Sequence, residues 1–382
     1  MLFRSHDGIA GAVLRQFEAE TNAGVERDHA EETTHHDAEA GSSATSRASR
    51  APEPATPIPT ELSLLERMVK DPLSLYLKET LGIDTWRDDD EPIPATVPLE
   101  LEKKQARLLT LELLEQLVSD ASCADAWIDA KQRSGILPVG PYALRQVAEI
   151  RALAEGLKQG AESHGLDLAA LVNKDVGGVL SGRHRLVGSL QGVHEAAPAK
   201  LVSVTADETG PGKYGLPIHL AGLHLLAARA ADIPVACATI ISRRDDWRVG
   251  ALKKPTRRNP EPRLEDAWQT RTVKLAPPLM DRAAAAERLD ALAALAHEAT
   301  AAARPGFGQL RTSAADRREV EFERALEGSF YLRTGECALF GVSPTFAEVF
   351  TDHPERLAFL DAFNRLLAVT FVRQGEAHYL LS

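Results

Sequence analysis

A change in the hydrophobic period near residue 182 constrains the fold of this chain more than any other feature. Two stretches of strand length and strand composition follow it, "RLVGSLQGVHE" and "KLVSVTADE". "LPIHLAGLHLLAARAADI" then has leucines at helical spacing, and "VACATIISR" is continuously apolar, as in a strand buried on both faces. "KLAPPLMDRAAAAERLDALAALAHEATAA" predicts a second crossing helix. The order strand, strand, helix, strand, helix predicts an α/β core with helices packed around it.

Helices are also predicted before and after this core in the sequence. Thr60 can cap a helix that contains Leu62 and Leu65, and Pro72 begins the next helical turn. "LELEKKQARLLTLELLEQLVSD" predicts a strongly amphipathic helix, another helix begins near Pro141, and "PERLAFLDAFNRLLAVTFVR" predicts a helix near the C-terminus. The apolar stripe of the Leu-rich helix comprises Leu101, Leu108, Leu111, Leu114, Leu117 and Val118.

Three regions follow from these patterns. Residues 1–58 have few large apolar side chains and are predicted to be a disordered or linker segment, because they cannot bury enough surface to offset their conformational entropy. His35 and His36 lie in this segment and are predicted to be solvated rather than to bind a metal. Residues 59–180 are predicted to form a helical lead-in subdomain, and residues 181–382 the α/β core with C-terminal helices.

Charge and motifs exclude several classes of protein. The net charge is −11, so any contact with DNA requires a local basic patch. Cys123, Cys237 and Cys337 lie far apart, which predicts neither a zinc site nor disulfides and favours a cytoplasmic location. No apolar run reaches the roughly 18 residues of a membrane helix, and the first residues lack the features of a signal peptide. No phosphate-binding loop is present, so the chain is not expected to bind ATP through such a loop, and no cofactor is predicted.

The segment with the most unusual local composition is "SRRDDWRVGALKKPTRRNPEPR", residues 242–263, which contains eight basic and three acidic residues. It follows the continuously apolar strand, where a loop should project. We predict that it contacts the DNA backbone, with its tryptophan stacking on a base or anchoring the loop. The predicted DNA-binding residues are Arg243, Arg244, Trp247, Arg248, Lys253, Lys254, Arg257 and Arg258. The alternative is a soluble loop whose arginines pair with acidic residues of this chain or of a partner.

A smaller basic cluster, Arg183, His184 and Arg185, precedes the first strand of the core. It would reinforce the prediction of DNA contact if it lay on the same face as residues 242–263.

The first two predicted strands, "RLVGSLQGVHE" and "KLVSVTADE", are also the place where a metal-dependent nuclease would hold its active site. Such a site needs carboxylate ligands for Mg²⁺ and a lysine beside the attacking water. The first aspartate would follow Gly188 by about three residues, where this chain has Gln191. Val204 and Ala206 fall near the positions of the second acid and the lysine. The sequence therefore predicts no catalytic residues and no metal ligands.

Two alternatives to this interpretation remain open. Asp207 or Glu208 could form a displaced metal site, although a shift of one residue along a strand moves a side chain to the opposite face. We expect both to be solvated at the end of the strand. His184 and His194 could act as general bases, but no acidic partner is evident in the sequence, and both are predicted to be polar surface residues.

Several stretches together resemble the C-terminal region of the RecC subunit of the bacterial RecBCD helicase–nuclease, exodeoxyribonuclease V. They are "MVKDPLSLYLKETLGI", "DDDEPIPATVPLELEKKQARLLTLELLEQL", "RSGILPVGPYA", "RLVGSLQGV", "GLPIHLAGLHLLAA" and "GECALFGVSPTFAEVF". Each stretch is weakly specific, and the resemblance rests on their order and spacing from about Leu62 to the C-terminus. The family's subunit is much longer, so this sequence is expected to be a fragment, the product of a split gene or one with a misassigned start.

The resemblance implies a restriction-endonuclease-like, PD-(D/E)xK-type α/β fold without catalytic residues, with a helical lead-in and flanking helices. It also implies a place near a DNA fork, in contact with RecB-like and RecD-like subunits and with double-stranded or forked DNA, during the processing of double-strand breaks. Two other functions remain open. One is an active Mg²⁺-dependent nuclease with a displaced site, and the other is a partner-binding module without DNA contact.

Overall fold

Seven β-strands form one mixed sheet in the computed structural model of this chain. The structure describes residues 56–83, 101–138, 140–208, 216–244, 268–304, 318–320, 322–323, 339, 345–368 and 377–380. The strands are β1 (Ile58–Glu61), β2 (Val172–Val179), β3 (His184–His194), β4 (Lys200–Glu208), β5 (Cys237–Arg243), β6 (Trp268–Leu275) and β7 (Ala377–Leu380).

The helices pack on both faces of this sheet. They are α1 (Leu62–Lys70), α2 (Pro72–Glu79), α3 (Lys103–Ser119), α4 (Ala124–Arg133), α5 (Pro141–Ser163), α6 (Leu216–Ala230), α7 (Arg282–Ala301) and α8 (Pro354–Leu366). Among the residues just given, no helix is both long enough and apolar enough to cross a membrane.

The strand order is β1-β3-β4-β5-β6-β7, and β2 pairs with the other edge of β3. The pairs β2–β3, β3–β4 and β5–β6 are antiparallel, whereas β1–β3, β4–β5 and β6–β7 are parallel. Helix α6 makes the crossover between β4 and β5 that a parallel pair requires. The prediction of an α/β core is confirmed, and β5, whose first six residues are buried, is its central strand.

Strand β3 has two different neighbours along one edge. Strand β1 pairs with residues 184–187 at its start, whereas β4 pairs only with Val193 and His194 at its end. Leu190 and Val193 both face the same core, so the alternation of side chains slips between them. Gly192 lies at this slip with φ +72°, and a Cβ atom there would be 2.3 Å from the carbonyl oxygen of Val202. The glycine therefore permits β4 to diverge from β3 and leaves space for β1.

Each face of the sheet is covered by its own hydrophobic core. On one face, α1, α6, α7 and α8 bury leucines and alanines against β2, β3, β4, β5 and β6. On the other face, α3, α4 and α5 pack against the side chains of Val202, Val204, Ala206, Ile241 and Trp268. Residues before and after position 180 therefore fill both cores.

The start of the first helix differs from the prediction. Helix α1 begins at Leu62 after Glu61, whose side chain makes no capping hydrogen bond. Thr60 instead belongs to β1, is fully buried, and places its Oγ1 3.0 Å from Nε2 of His297 in α7. Backbone pairing with β3 holds Thr60 in an extended conformation two residues before the helix, and its hydroxyl therefore serves a long-range contact.

The apolar stripe of the Leu-rich helix was predicted only in part. Leu114 and Leu117 are buried in α3 as expected, but Leu108 is 59 % exposed. Leu109 and Leu113 take the buried positions instead. The stripe is displaced because Leu109, Leu113 and Leu117 recur at a spacing of four residues and together face the second core.

Candidate nucleic-acid interface

One end of the sheet brings together the residues that the sequence singled out. Strands β4 and β5 are parallel, so both have their carboxyl ends there, and Glu208 pairs with Arg243. Strands β3 and β6 are antiparallel to them, so both begin at the same end. We call this set of strand ends the basic end of the sheet, because Arg183, Arg185, Arg243 and Arg244 lie at it.

The predicted DNA-binding segment is connected to the basic end at both of its termini. Arg243 is the last residue of β5 and pairs with Trp268, the first residue of β6. The carbonyl oxygen of Arg243 also accepts a hydrogen bond from Nε2 of Gln269, at 3.0 Å. Arg243 and Arg244 are both half-buried. The remaining predicted residues, Trp247, Arg248, Lys253, Lys254, Arg257 and Arg258, lie outside the described residues.

Trp268 anchors the return of this segment to the body of the protein. Its ring lies against Gly160 of α5, where a Cβ atom would approach Trp268 Cδ2 to 2.7 Å. The ring of His164 contacts it edge-on, with the centroids 5.8 Å apart. Trp268 thereby packs against the second core. Both termini of residues 244–268 are therefore held by ordered structure.

The structure describes the three positions at which the sequence was searched for the catalytic residues of a nuclease. Gln191 of β3 is exposed and brings no negative charge. Val204 is half-buried against the second core, and Ala206 is only 1 % exposed within it. Val204 and Ala206 therefore serve the packing of β4 against the second core.

The residue proposed for a displaced site has a cationic partner. Asp207 Oδ1 lies 2.6 Å from Nη1 of Arg107 in α3, and both side chains are roughly half exposed. The backbone N–H of Asp207 donates to Oγ1 of Thr205 at 3.1 Å. The side chain of Glu208 lies outside what the structure describes. Within the described part of the chain, no group of three His, Cys, Asp or Glu side chains could hold a metal ion.

The assignment of His184 and His194 to the surface was wrong. His184 is 6 % and His194 8 % exposed, and His184 has an acidic partner. Its Nδ1 lies 3.1 Å from Oδ1 of Asp290 in α7, and its backbone N–H donates to the same oxygen at 3.2 Å. The error arose because the acid comes from a helix 106 residues away, which a local reading of the strand does not reveal.

His184 also stacks on a second histidine, His297 of α7. The ring centroids are 5.4 Å apart, and the planes are inclined by 11°. Burial, and secondarily the neighbouring His184, lower the pKa of His297 below its ordinary value. Together with Thr60 and Asp290, the two rings connect β1 and β3 to α7. This network fixes the start of β3 at the basic end.

We predict that Asp207 has no role as a metal ligand. Replacing it with asparagine should lower the free energy of unfolding by less than about 1 kcal/mol, because an exposed ion pair contributes little. Titration with Mg²⁺ should leave the melting temperature of both proteins unchanged. Asp175→Asn, at an exposed position of β2, is the control. Stabilisation of the wild type by Mg²⁺ that disappears in Asp207→Asn would support a displaced metal site instead.

Comparison with known families adds one finding. The family model described as the RecC C-terminal domain matches residues 57–318. This range begins just before β1 and includes the basic end of the sheet with both termini of the basic segment. No curated protein is similar enough to the chain to count as a match.

Proposed function

Since this chain belongs to the RecC C-terminal domain family, we propose that it is a non-catalytic, nuclease-like module of a RecBCD-type complex. It binds DNA and the partner subunits, which are RecB-like and RecD-like proteins, while the complex processes double-strand breaks for recombinational repair. The match over residues 57–318 is the observation that carries this proposal.

The arrangement of the strands supports a restriction-endonuclease-like core. The antiparallel pair β3–β4 is followed by the crossing helix α6 and by β5, which is parallel to β4. Gln191 of β3 and Val204 and Ala206 of β4 lie where β3 and β4 diverge. A nuclease of this type would place its metal ligands on these two strands.

The lack of catalysis follows from the chemistry of the same positions. Mg²⁺ binds hard, negatively charged oxygen ligands, and a two-metal mechanism requires several of them at one place. Gln191 offers a neutral amide, whereas Val204 and Ala206 offer no ligand atom. Asp207 is paired with Arg107. The site therefore retains the position of a nuclease centre without its charge.

DNA contact is assigned to the segment from Arg243 to Arg258. The chain as a whole is acidic, yet residues 243–263 carry eight cations against three anions. It is attached at the basic end, beside the divergence of β3 and β4. Cations in this number bind DNA mainly by displacing counterions from the phosphates, so the affinity should fall steeply with salt.

The test is binding to a labelled forked duplex, with EDTA and with Mg²⁺, for the wild type and for Arg257→Glu combined with Arg258→Glu. We expect binding without cleavage. The variant should bind at least about tenfold more weakly at low salt, and its slope of log K against log salt should be smaller by about 2, because two phosphate contacts are lost.

A matched control separates these local contacts from the change in net charge. Arg229→Glu combined with Lys274→Glu alters the charge equally, at exposed residues near the end of α6 and of β6. These positions lie at the opposite end of the sheet, and the control should bind with a slope close to that of the wild type. Cleavage in Mg²⁺ would contradict the non-catalytic proposal. Absence of binding by the wild type would contradict the DNA contact and favour a partner-binding module.

A further inference from the structure

The α3–α5 layer covers only part of its face of the sheet. Its buried cluster includes side chains of β4, β5 and β6. On β3, in contrast, Arg185, Val187, Ser189 and Gln191 are all exposed, and Val187 is 43 % exposed. These alternate residues share one face, opposite to Leu186 and Leu190 in the first core. The start of β3 therefore presents an open surface.

Two arginines lie at the beginning of this open surface. Arg183 immediately precedes β3 and Arg185 is its second residue, and both are exposed. Neither side chain makes an ion pair or a hydrogen bond with another residue in the described part of the chain. Most other arginines there are engaged, for example Arg107 with Asp207 and Arg151 with Asp125. Arg183 and Arg185 therefore place two exposed cations, without an ionic partner among the described residues, at the start of an ordered strand, where an external anion can reach them.

His184, which lies between Arg183 and Arg185, holds the two arginines in place. His184 is turned into the protein, and both its ring and its backbone N–H contact Asp290. The turn before it is closed by a hydrogen bond from Leu180 N–H to the His184 carbonyl, at 2.9 Å. Gly182 permits the close approach of Asp290, since a Cβ atom there would be 2.6 Å from its Oδ2. The β2–β3 hairpin is thus fixed to α7, which orders Arg183 and Arg185 before any ligand binds.

The position of these arginines relates them to the DNA-binding segment. The start of β3 lies at the same end of the sheet as the end of β5. Strands β1 and β4 lie between them and are not paired with each other among the described residues, so three strand steps of ~4.8 Å set the separation at roughly 15 Å or more. The major groove of DNA is ~12 Å wide, so the two sets of cations can contact phosphates on either side of one groove.

We infer that Arg183 and Arg185 form a second phosphate-binding site, which contacts the backbone of the same DNA that residues 243–258 bind. The inference rests on the proposed function, which it deepens by adding a contact outside that segment. Glu61 pairs with Val187, and Asp175 pairs with Ser189, so two carboxylates limit the site toward the middle of β3. The site is therefore confined to the first residues of the strand.

The experiment measures salt dependence for Arg183→Gln combined with Arg185→Gln. If both arginines contact phosphates, the slope of log K against log salt falls by about 1.8 with duplex DNA, or by about 1.4 if the bound backbone is single-stranded. Using a plain duplex and a single strand as separate probes identifies which one is bound. Arg229→Gln combined with Lys274→Gln is the control at the opposite end of the sheet, and its slope should not change.

A second variant separates charge from structure. Arg183→Lys combined with Arg185→Lys keeps both charges, and it should restore most of the slope that the glutamine variant loses. An unchanged slope in the glutamine variant, with the wild type still binding DNA, would overturn this inference and leave the proposed function intact. A lysine variant as weak as the glutamine variant would also overturn it, because the loss would not be electrostatic. Failure of the wild type to bind would overturn both.

Discussion

Replacing Gly192 with alanine should destabilise the fold by about 3 kcal/mol or more. The backbone there has φ +72°, a conformation that costs a residue with a Cβ atom roughly 1–2 kcal/mol. The added Cβ atom would also lie 2.3 Å from the carbonyl oxygen of Val202, which is backbone and cannot rotate away. Strand β4 would have to move away from β3. Chemical denaturation measures the change as a lower midpoint.

Gly165 offers a matched control for this substitution. It follows α5 with φ +65°, and nothing lies within 4 Å of the Cβ position. Gly165→Ala therefore carries the conformational cost without the collision and should lose only about 1 kcal/mol. Similar losses in the two variants would show that the approach of Gly192 to Val202 is not a constraint on the fold.

Replacing Ala206 with lysine should cost about 4 kcal/mol at neutral pH. This substitution restores the side chain that a nuclease would have near this position, yet Ala206 is 1 % exposed in an apolar core. Burial of a lysine can lower its pKa by 3 units or more, and each unit corresponds to ~1.4 kcal/mol. The loss of stability is measured by chemical denaturation, and no Mg²⁺-dependent cleavage should accompany it.

The pH dependence of the stability of Ala206→Lys shows whether burial of the lysine's charge causes this loss. Because the pKa of the introduced lysine would be lower in the folded protein than in the unfolded chain, the unfolded chain would bind more protons between the two values. Stability relative to the wild type should therefore rise as the pH increases toward ~10. Ser203→Lys, at an exposed position of the same strand, should show neither the loss nor the dependence. A stable Ala206→Lys protein would mean that α3 does not close this site.

The central part of the fold could be predicted from local pattern. Strands β3 and β4 were found from their length and composition, β5 from its continuous apolar run, and helix α6 from leucines at helical spacing. The predicted beginning of α2 at Pro72 was also correct. Asp71 caps this helix by accepting a hydrogen bond from the N–H of Leu73. Each of these elements is therefore indicated by its own local sequence.

Other elements were missed because long-range pairing determines them. Strand β1 is four residues long and contains a proline, and β2 contains two glycines and three polar residues. Neither would be assigned as a strand without β3 between them. Strand β6, "WQTRTVKL", has a composition typical of strands, with Trp, Thr and Val, and could have been recognised, whereas the four residues of β7 are too few.

The candidate site, too, has features that could be predicted from local sequence and features that depend on long-range contacts. The lack of acidic and lysine side chains at Gln191, Val204 and Ala206 could be read directly, because it depends only on residue identity and strand register. The contacts of His184 with Asp290, and of Asp207 with Arg107, join residues about 100 positions apart. Local sequence patterns do not contain such contacts, since the order of the helices around the sheet determines them.

The hydrogen bonds that connect β1 and the C-terminal end of α2 to α7 have a consequence for synthesis. Thr60 reaches His297 across 237 positions, and the Thr80 hydroxyl donates to the Thr300 carbonyl across 220. At translation rates of ~5–20 residues per second, about 10 to 45 seconds separate the emergence of these partners from the ribosome. During that interval the apolar faces of α1 and α2 lack the helix that covers them. These N-terminal helices are therefore the part of the domain that a holdase chaperone would encounter for the longest time during synthesis.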